Sequence, residues 1–234
     1  MRLRLLLPQA CTLCRTPSGG ALLCTACLAA LPRLGPACPR CALPTGTVGP
    51  CAPCGRHVPP WSRAIAAWTY DFPVDRLVQQ LKYGSRLALA EPLAAGLAGA
   101  VNACGGAMPD AFVPLPLAPA RQRHRGFNQS QLLARVLARA LHRPLVHGLA
   151  RVRDDGPQAA LGLPHRALTM HGAFVGHAVL RGLHVAIVDD VMTTGATLAA
   201  ATAAARAAGA RIVDVHVVAR TLPPSRAALH RAPA

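Results

Sequence analysis

Asp189 and Asp190 stand side by side, and Thr193, Thr194, Gly195, Ala196 and Thr197 follow within a few residues. Carboxylates accept hydrogen bonds from sugar hydroxyls, as the acidic residue of a dinucleotide site does. A threonine- and glycine-rich turn that opens into a helix supplies hydroxyl donors, unpaired amides and the positive end of the helix dipole, and Gly195 lets backbone approach a phosphate closely. Together these residues describe a site for a ribose 5-phosphate. The chain has no G-K-[ST] phosphate loop and no G-x-G-x-x-G fingerprint, which excludes a P-loop and a dinucleotide fold. The structural alternative is a buried strand whose acidic tip merely caps a helix.

The elements that must hold this group are legible on either side. Val185, Ala186, Ile187 and Val188 form an apolar run without polar alternation, the pattern of a short strand covered on both faces. After the turn, Ala199 to Ala208 is an alanine-rich helical segment. Four apolar residues followed by D-D-x-x-T-T-G-x-T resemble the 5-phosphoribosyl-1-pyrophosphate (PRPP) motif of type I phosphoribosyltransferases at every defining position. That resemblance implies an open, mainly parallel α/β sheet, with the site outside the C-terminal strand ends.

A second chemistry is written in the cysteines. Cys11/Cys14, Cys24/Cys27, Cys38/Cys41 and Cys51/Cys54 are four C-x-x-C knuckles, and each cysteine of the first half recurs 27 positions later. Such knuckles in so short a stretch point to zinc. Duplication favours one set of Cys11, Cys14, Cys24 and Cys27 and another of Cys38, Cys41, Cys51 and Cys54, although spacing leaves a crossed pairing open. Four thiolates close a site, so both ions are read as structural, and loss of a knuckle cysteine is expected to unfold the ribbon locally. A redox pair would expect a βαβ context that this Pro/Gly-rich stretch lacks. His57 reads as a surface residue, and Cys104, the ninth cysteine, as a small packed hydrophobe.

The 234 residues suffice for one α/β domain with a small appendage. The formal charge is +16, and eight thiolates with two divalent ions subtract four charges, leaving +12. Lys82 is the only lysine and Glu91 the only glutamate, so the excess is arginine; a polyphosphate pocket and a nucleic-acid surface both remain open. The apolar run at the N-terminus is cut by Pro8, too short for a signal peptide, and no segment approaches the roughly 20 apolar residues of a membrane span. A cytoplasmic location is therefore expected, where thiols stay reduced.

Along the chain, residues 1–58 read as the double zinc ribbon, Pro59-Pro60 as a boundary, 61–222 as the α/β domain and 223–234 as a flexible tail. Strands are expected over Ala64–Tyr70, Ala111–Leu115 and Arg211–Ala219, and helices over Val74–Tyr83, Leu89–Ala103 and Gln129–His142. Arg121, Arg123 and Arg125 fall in an expected loop between Ala118 and Ser130, where arginines can close over a pyrophosphate. Asn128 is placed to cap the next helix. Arg135, Arg139 and Arg143 recur at every fourth position, a polar helix face that could also follow a phosphate backbone. Arg151 to Thr169 has no periodic pattern, as in a hood or lid.

R-G-F-N-Q-S at 125–130 resembles the signature of the ComF family, competence-associated phosphoribosyltransferase-like proteins with an N-terminal double zinc ribbon. The likeness extends to the cysteine knuckles, Leu81-Lys82-Tyr83, the V-P-L-P strand end, Arg151, Arg153 and Gln158, and the PRPP motif. It departs at Asp155, where relatives often carry threonine, and at Thr169, where asparagine is expected. The resemblance implies that Asp189 and Asp190 hold the ribose hydroxyls of Mg-PRPP, that 193–197 bind its 5-phosphate, and that Arg121, Arg123, Arg125 and Lys82 serve the substrate's charge. It implies two structural Zn²⁺, Mg²⁺ with the substrate, and an unidentified nitrogen nucleophile as acceptor. It also implies a role in DNA uptake, the alternative being a protein that binds single-stranded DNA or a partner and uses the PRPP site for sensing. Scarce aromatics weigh against a stacking platform for single strands. Oligomeric state has no signature here.

Overall fold

A computed structural model describes residues 9–46, 49–84, 86–152 and 172–223. Four strands form a parallel sheet, β1 (Ala64–Thr69), β2 (Ala111–Pro114), β5 (His184–Met192) and β6 (Ile212–Arg220), in the order β1-β6-β5-β2. A separate antiparallel pair joins β3 (Leu149–Arg151) to β4 (Phe174–Gly176). Helices α3 (Val74–Tyr83), α4 (Ala90–Cys104) and α6 (Gln129–Ala140) cover one sheet face, and α7 (Ala196–Ala207) covers the other. The sequence dictates this layering, because each strand buries both faces. Val185 and Ile187 of β5 pack with Leu198 and Ala201 of α7, whereas Ala186 and Val188 pack with Leu133 and Leu137 of α6.

The ribbon contributes two single-turn helices, α1 (Thr25–Ala29) and α2 (Ala52–Arg56), and it is built into the sheet. The segment between its halves runs antiparallel along the outer edge of β1: the Ala64 amide donates to Pro39 O (2.9 Å), Arg33 bridges Trp68, and the Thr69 amide donates to Pro32 O (2.9 Å). Leu23 and Leu31 enter the core beneath α3 and α4.

Several expectations need correction. The arginine segment is a helix, α5 (Pro119–Arg125), with Pro119 in its first turn and Gly126 in the left-handed conformation (φ 77°) at its end. It buries no side chain, so no apolar periodicity announced it. Helix α6 stops at Ala140, and His142 turns to φ 51°, which puts Arg143 beyond the helix and off its face. Strand β5 runs past the acidic pair to Met192. Cys104 ends α4 and is exposed, not packed. The irregular stretch from Arg153, including Asp155, Gln158 and Thr169, and the tail from residue 224 lie outside the described residues. The 18 residues Leu87–Cys104 have the length and apolarity of a short membrane span, but Leu93, Ala94 and Leu97 of this stretch are buried in the core.

Candidate functional site

The pleat of β5 slips at the carboxylates. Val188 packs with the α3/α4/α6 layer and Met192, four residues on, with the α7 layer, although a regular strand would place both on one face. The slip falls across Asp189 and Asp190, and it lets two adjacent carboxylates meet partners from the same layer. Ser130, in the first turn of α6, donates its hydroxyl to Asp189 Oδ1 at 2.8 Å. Lys82, near the end of α3, holds Asp190 Oδ1 at 2.7 Å. Ser130 is itself set by the expected cap: Asn128 accepts from the Ser130 amide (2.9 Å) and donates to Leu115 O at the end of β2 (3.0 Å).

Burial and the neighbouring Asp190 charge push the Asp189 carboxyl up to about 7, against the Ser130 hydroxyl, Lys82 and the Asp190 amide, which favour its ionised form. Burial alone would depress the Lys82 ammonium; Asp190, with a smaller contribution from Asp189, outweighs it and holds Lys82 above its ordinary value. Asp190 Oδ2 is buried without a hydrogen-bonding partner among the described residues, so the pair retains acceptor capacity suited to a hydroxyl or a hard cation.

Beyond Met192, Thr193 and Thr194 are exposed, and Gly195 takes φ 83° as it leads into α7. The Thr194 hydroxyl accepts from the Ala196 amide (3.3 Å). The glycine has a further reason than the expected close approach of a phosphate: a Cβ here would lie 2.9 Å from Cη2 of the Trp61 indole. Of the three arginines, Arg125 stacks its guanidinium 5.0 Å from the ring centre of Tyr83, the residue after Lys82, and donates to Gln129 Oε1 (2.5 Å). Arg121 and Arg123 are exposed, and Arg123 lines a groove with Pro116, Leu117, Gln122 and Ala150. Arg135 and Arg139 are exposed on α6, the latter 3.9 Å from Glu91.

The cysteines resolve the pairing that spacing left open. Cys11, Cys14, Cys24 and Cys27 converge in one cluster and Cys38, Cys41, Cys51 and Cys54 in the other, with each set's sulfurs within 4.8 Å of one another. Backbone amides point at the sulfurs: those of Cys24 and Cys51 donate to Cys11 Sγ (3.4 Å) and Cys38 Sγ (3.3 Å). Burial raises both of these thiols, but the surrounding amides prevail and bring each down to about 6. Hydrogen bonding to Cys14 and Cys24 pushes Cys27 up to about 12, and burial pushes Cys41 up to about 11. Four sulfurs converging within 4.8 Å of one another in a closed set fit a tetrahedral zinc ion.

Sequence reasoning missed Ser130, Trp61 and Arg220. The serine was within reach, as the last residue of R-G-F-N-Q-S. The other two bear on the site only through long-range contacts that no local pattern announces.

Residues 2–58 match the double zinc ribbon domain and residues 129–234 the phosphoribosyl transferase domain. Fold and site thus define a type I phosphoribosyltransferase-like protein with an N-terminal double zinc ribbon of two four-cysteine sites. The chain is 37% identical over 228 residues to DNA utilization protein YhgH of Salmonella typhi, an alignment covering 93% of this chain and 100% of that protein. It is 31% identical over 178 residues to competence protein F of Haemophilus influenzae (73% of this chain, 78% of the other). To competence protein ComFC of Bacillus subtilis it is 36% identical over 87 residues (37% and 34%). The chain belongs to the ComF family of competence-associated proteins.

Proposed function

We propose that the chain binds Mg-PRPP at the C-terminal edge of the sheet and transfers its phosphoribosyl group to a nitrogen nucleophile, in a cytoplasmic role tied to DNA uptake or utilisation. The observation that carries this reading is the meeting of the Asp189-Asp190 pair with the Met192–Gly195 turn and the N-terminus of α7. Asp189 and Asp190 accept from the ribose 2- and 3-hydroxyls, while Thr193, Thr194, Gly195, Ala196 and Thr197 surround the 5-phosphate. Lys82 sets a fixed positive charge beside the pair. Arg121, Arg123 and Arg125 neutralise pyrophosphate as its bond to the anomeric carbon breaks and the electron pair leaves with it. Mg²⁺, when bound with the substrate, neutralises the pyrophosphate oxygens.

The test is to supply Mg-PRPP with a panel of bases, amines and oligonucleotides and to follow pyrophosphate release. Acceptor-dependent release is expected, and none with any acceptor would overturn transfer. Affinity should also follow Asp189. Its carboxyl is raised to about 7, so below that pH it holds a proton and loses acceptor strength. Mg-PRPP affinity should therefore rise with pH and level off above about 7, falling by up to about tenfold per unit on the acid side. Asp189→Asn should flatten the profile; an unchanged profile in that variant would assign the titration elsewhere.

The relatives' names support a second reading, in which the protein binds single-stranded DNA or a partner of the uptake machinery and senses PRPP without turnover. Neutralising Arg121, Arg123 and Arg125 should impair PRPP handling. Neutralising Arg135 and Arg139, the two arginines that share the exposed face of α6, should flatten the salt dependence of any single-strand binding and leave PRPP unaffected. Wild-type DNA affinity and salt slope in that second variant would remove the basic face's part in DNA binding.

A further inference from the structure

Arg220, the last residue of β6, carries a charge that the acidic pair and the phosphate turn leave unexplained. It is 7% exposed, and its guanidinium bonds to backbone carbonyls. Nε donates to Cys41 O at 2.8 Å. Nη1 donates to Met192 O (2.8 Å), Thr193 O and Thr221 O (3.0 Å). One guanidinium thus ties a carbonyl of the second cysteine set to two carbonyls of the phosphate turn.

A second strut runs parallel to it. Trp61 Nε1 donates to Arg40 O at 2.6 Å, and the same indole lies against Gly195. Two successive carbonyls of one knuckle, Arg40 and Cys41, are therefore each held by a side chain whose other end meets the turn. Among the described residues no such strut joins the Cys11 set to it.

We propose that Arg220 is a positioning residue for the phosphate turn, and that with Trp61 it makes the shape of that turn depend on the metal in the Cys38 set but not on the metal in the Cys11 set. The inference rests on the reading of Met192–Thr197 as a phosphate cradle. A zinc ion fixes Cys38 and Cys41, and with them the direction of the Arg40 and Cys41 carbonyls. Four thiolates around one Zn²⁺ leave a net charge of about −2 beside a buried guanidinium, which gives that cation a counter-charge. With the metal gone, the knuckle carbonyls lose their fixed direction and Arg220 loses an acceptor it cannot replace from water. The Thr193 carbonyl is then free to rotate and the Thr194 amide turns with the peptide plane they share, whereas Met192 O keeps the Thr221 amide at 3.1 Å.

The experiment uses the zinc-loaded full chain. Arg220→Ala should keep two zinc equivalents by metal analysis, speed amide hydrogen exchange over 192–196, and weaken Mg-PRPP binding roughly tenfold or more, the scale of a lost charge-assisted hydrogen bond. Added methylguanidinium should restore part of that binding, which a merely structural lesion would not permit. If Arg220→Ala does not fold, Trp61→Phe, which keeps a ring beneath Gly195 but removes the bond to Arg40, should show the same exchange change in smaller degree. Cys24→Ser and Cys51→Ser should each lose one zinc, and only Cys51→Ser should loosen the turn. Wild-type exchange and affinity in zinc-replete Arg220→Ala would overturn the proposal, as would equal loosening by the two cysteine variants. Hydrogen exchange needs no ligand, so the coupling is decided even if the wild type binds no PRPP, an outcome that would instead strike the functional reading.

Discussion

Asp190→Asn is expected to abolish measurable Mg-PRPP binding and to destabilise the unliganded chain by about 3 kcal/mol, the scale for removing one partner of a buried ion pair. The Lys82–Asp190 contact is 2.7 Å, with side-chain exposures of 20% and 4%. In the variant the ammonium stays buried against an amide that cannot balance it. Lys82→Met removes the other partner and leaves two adjacent carboxylates without their cation, so it too should destabilise. The double variant separates the roles. It sets an apolar side chain beside a neutral amide and leaves Asp189 as the one remaining carboxylate, still held by the Ser130 hydroxyl, so most of the lost stability should return, whereas binding should stay lost because the acceptor is gone. Urea denaturation and calorimetry on the four proteins read both quantities. If the two losses of stability simply add in the double variant, the groups are not coupled and Lys82 owes its place to something else.

Gly96→Ala is the second large effect, and here two principles oppose each other. Alanine favours a helix interior over glycine by up to about 1 kcal/mol, and Gly96 lies within α4. Yet a Cβ at Gly96 would sit 2.0 Å from Cη2 and 2.3 Å from Cζ2 of Trp68, a ring that is 1% exposed. Helix and strand must separate or the indole must move, and overpacking of this kind costs about 1–3 kcal/mol or more, so packing wins and the variant is destabilised. Gly99 provides the internal comparison, because a Cβ there meets nothing within 4 Å. Gly99→Ala should stabilise by about 0.5–1 kcal/mol through propensity alone. Trp68→Phe should recover part of the loss in Gly96→Ala. Equal stabilisation by both alanines in thermal or urea unfolding would mean that α4 does not approach β1 as closely as Gly96 implies.

How much of this was legible depended on whether the signal was local. Strands with two buried faces announce themselves as apolar runs, which is why β6 was expected close to where it lies and β5 was found by its Val185–Val188 run, although it continues through the carboxylates to Met192. Helix α3 showed its buried stripe of Leu77, Val78 and Leu81. Helix α5 had its punctuation in the sequence, Pro119 at the start and Gly126 at the end, but no apolar face to give the period. The acidic pair was legible as chemistry; its partners Ser130 and Lys82 were legible only as parts of a motif, since the slip in β5 that brings both within reach has no pattern of its own. Arg220 was the least accessible residue. It lies 179 positions from Cys41 in the chain, and among so many arginines its composition gives it no distinction.

The strip of ribbon backbone along β1 has one further consequence. A strand at the border of a sheet exposes a row of free amides and carbonyls, a template on which another chain can add. In this protein residues 32–39 occupy that row, so the small N-terminal module acts as the sheet's guard against self-association. Cutting the chain after the last knuckle would not release a tidy phosphoribosyltransferase-like half. It would bare the AIAAWT edge, six residues with no charge among them, as a template for fibres or precipitate.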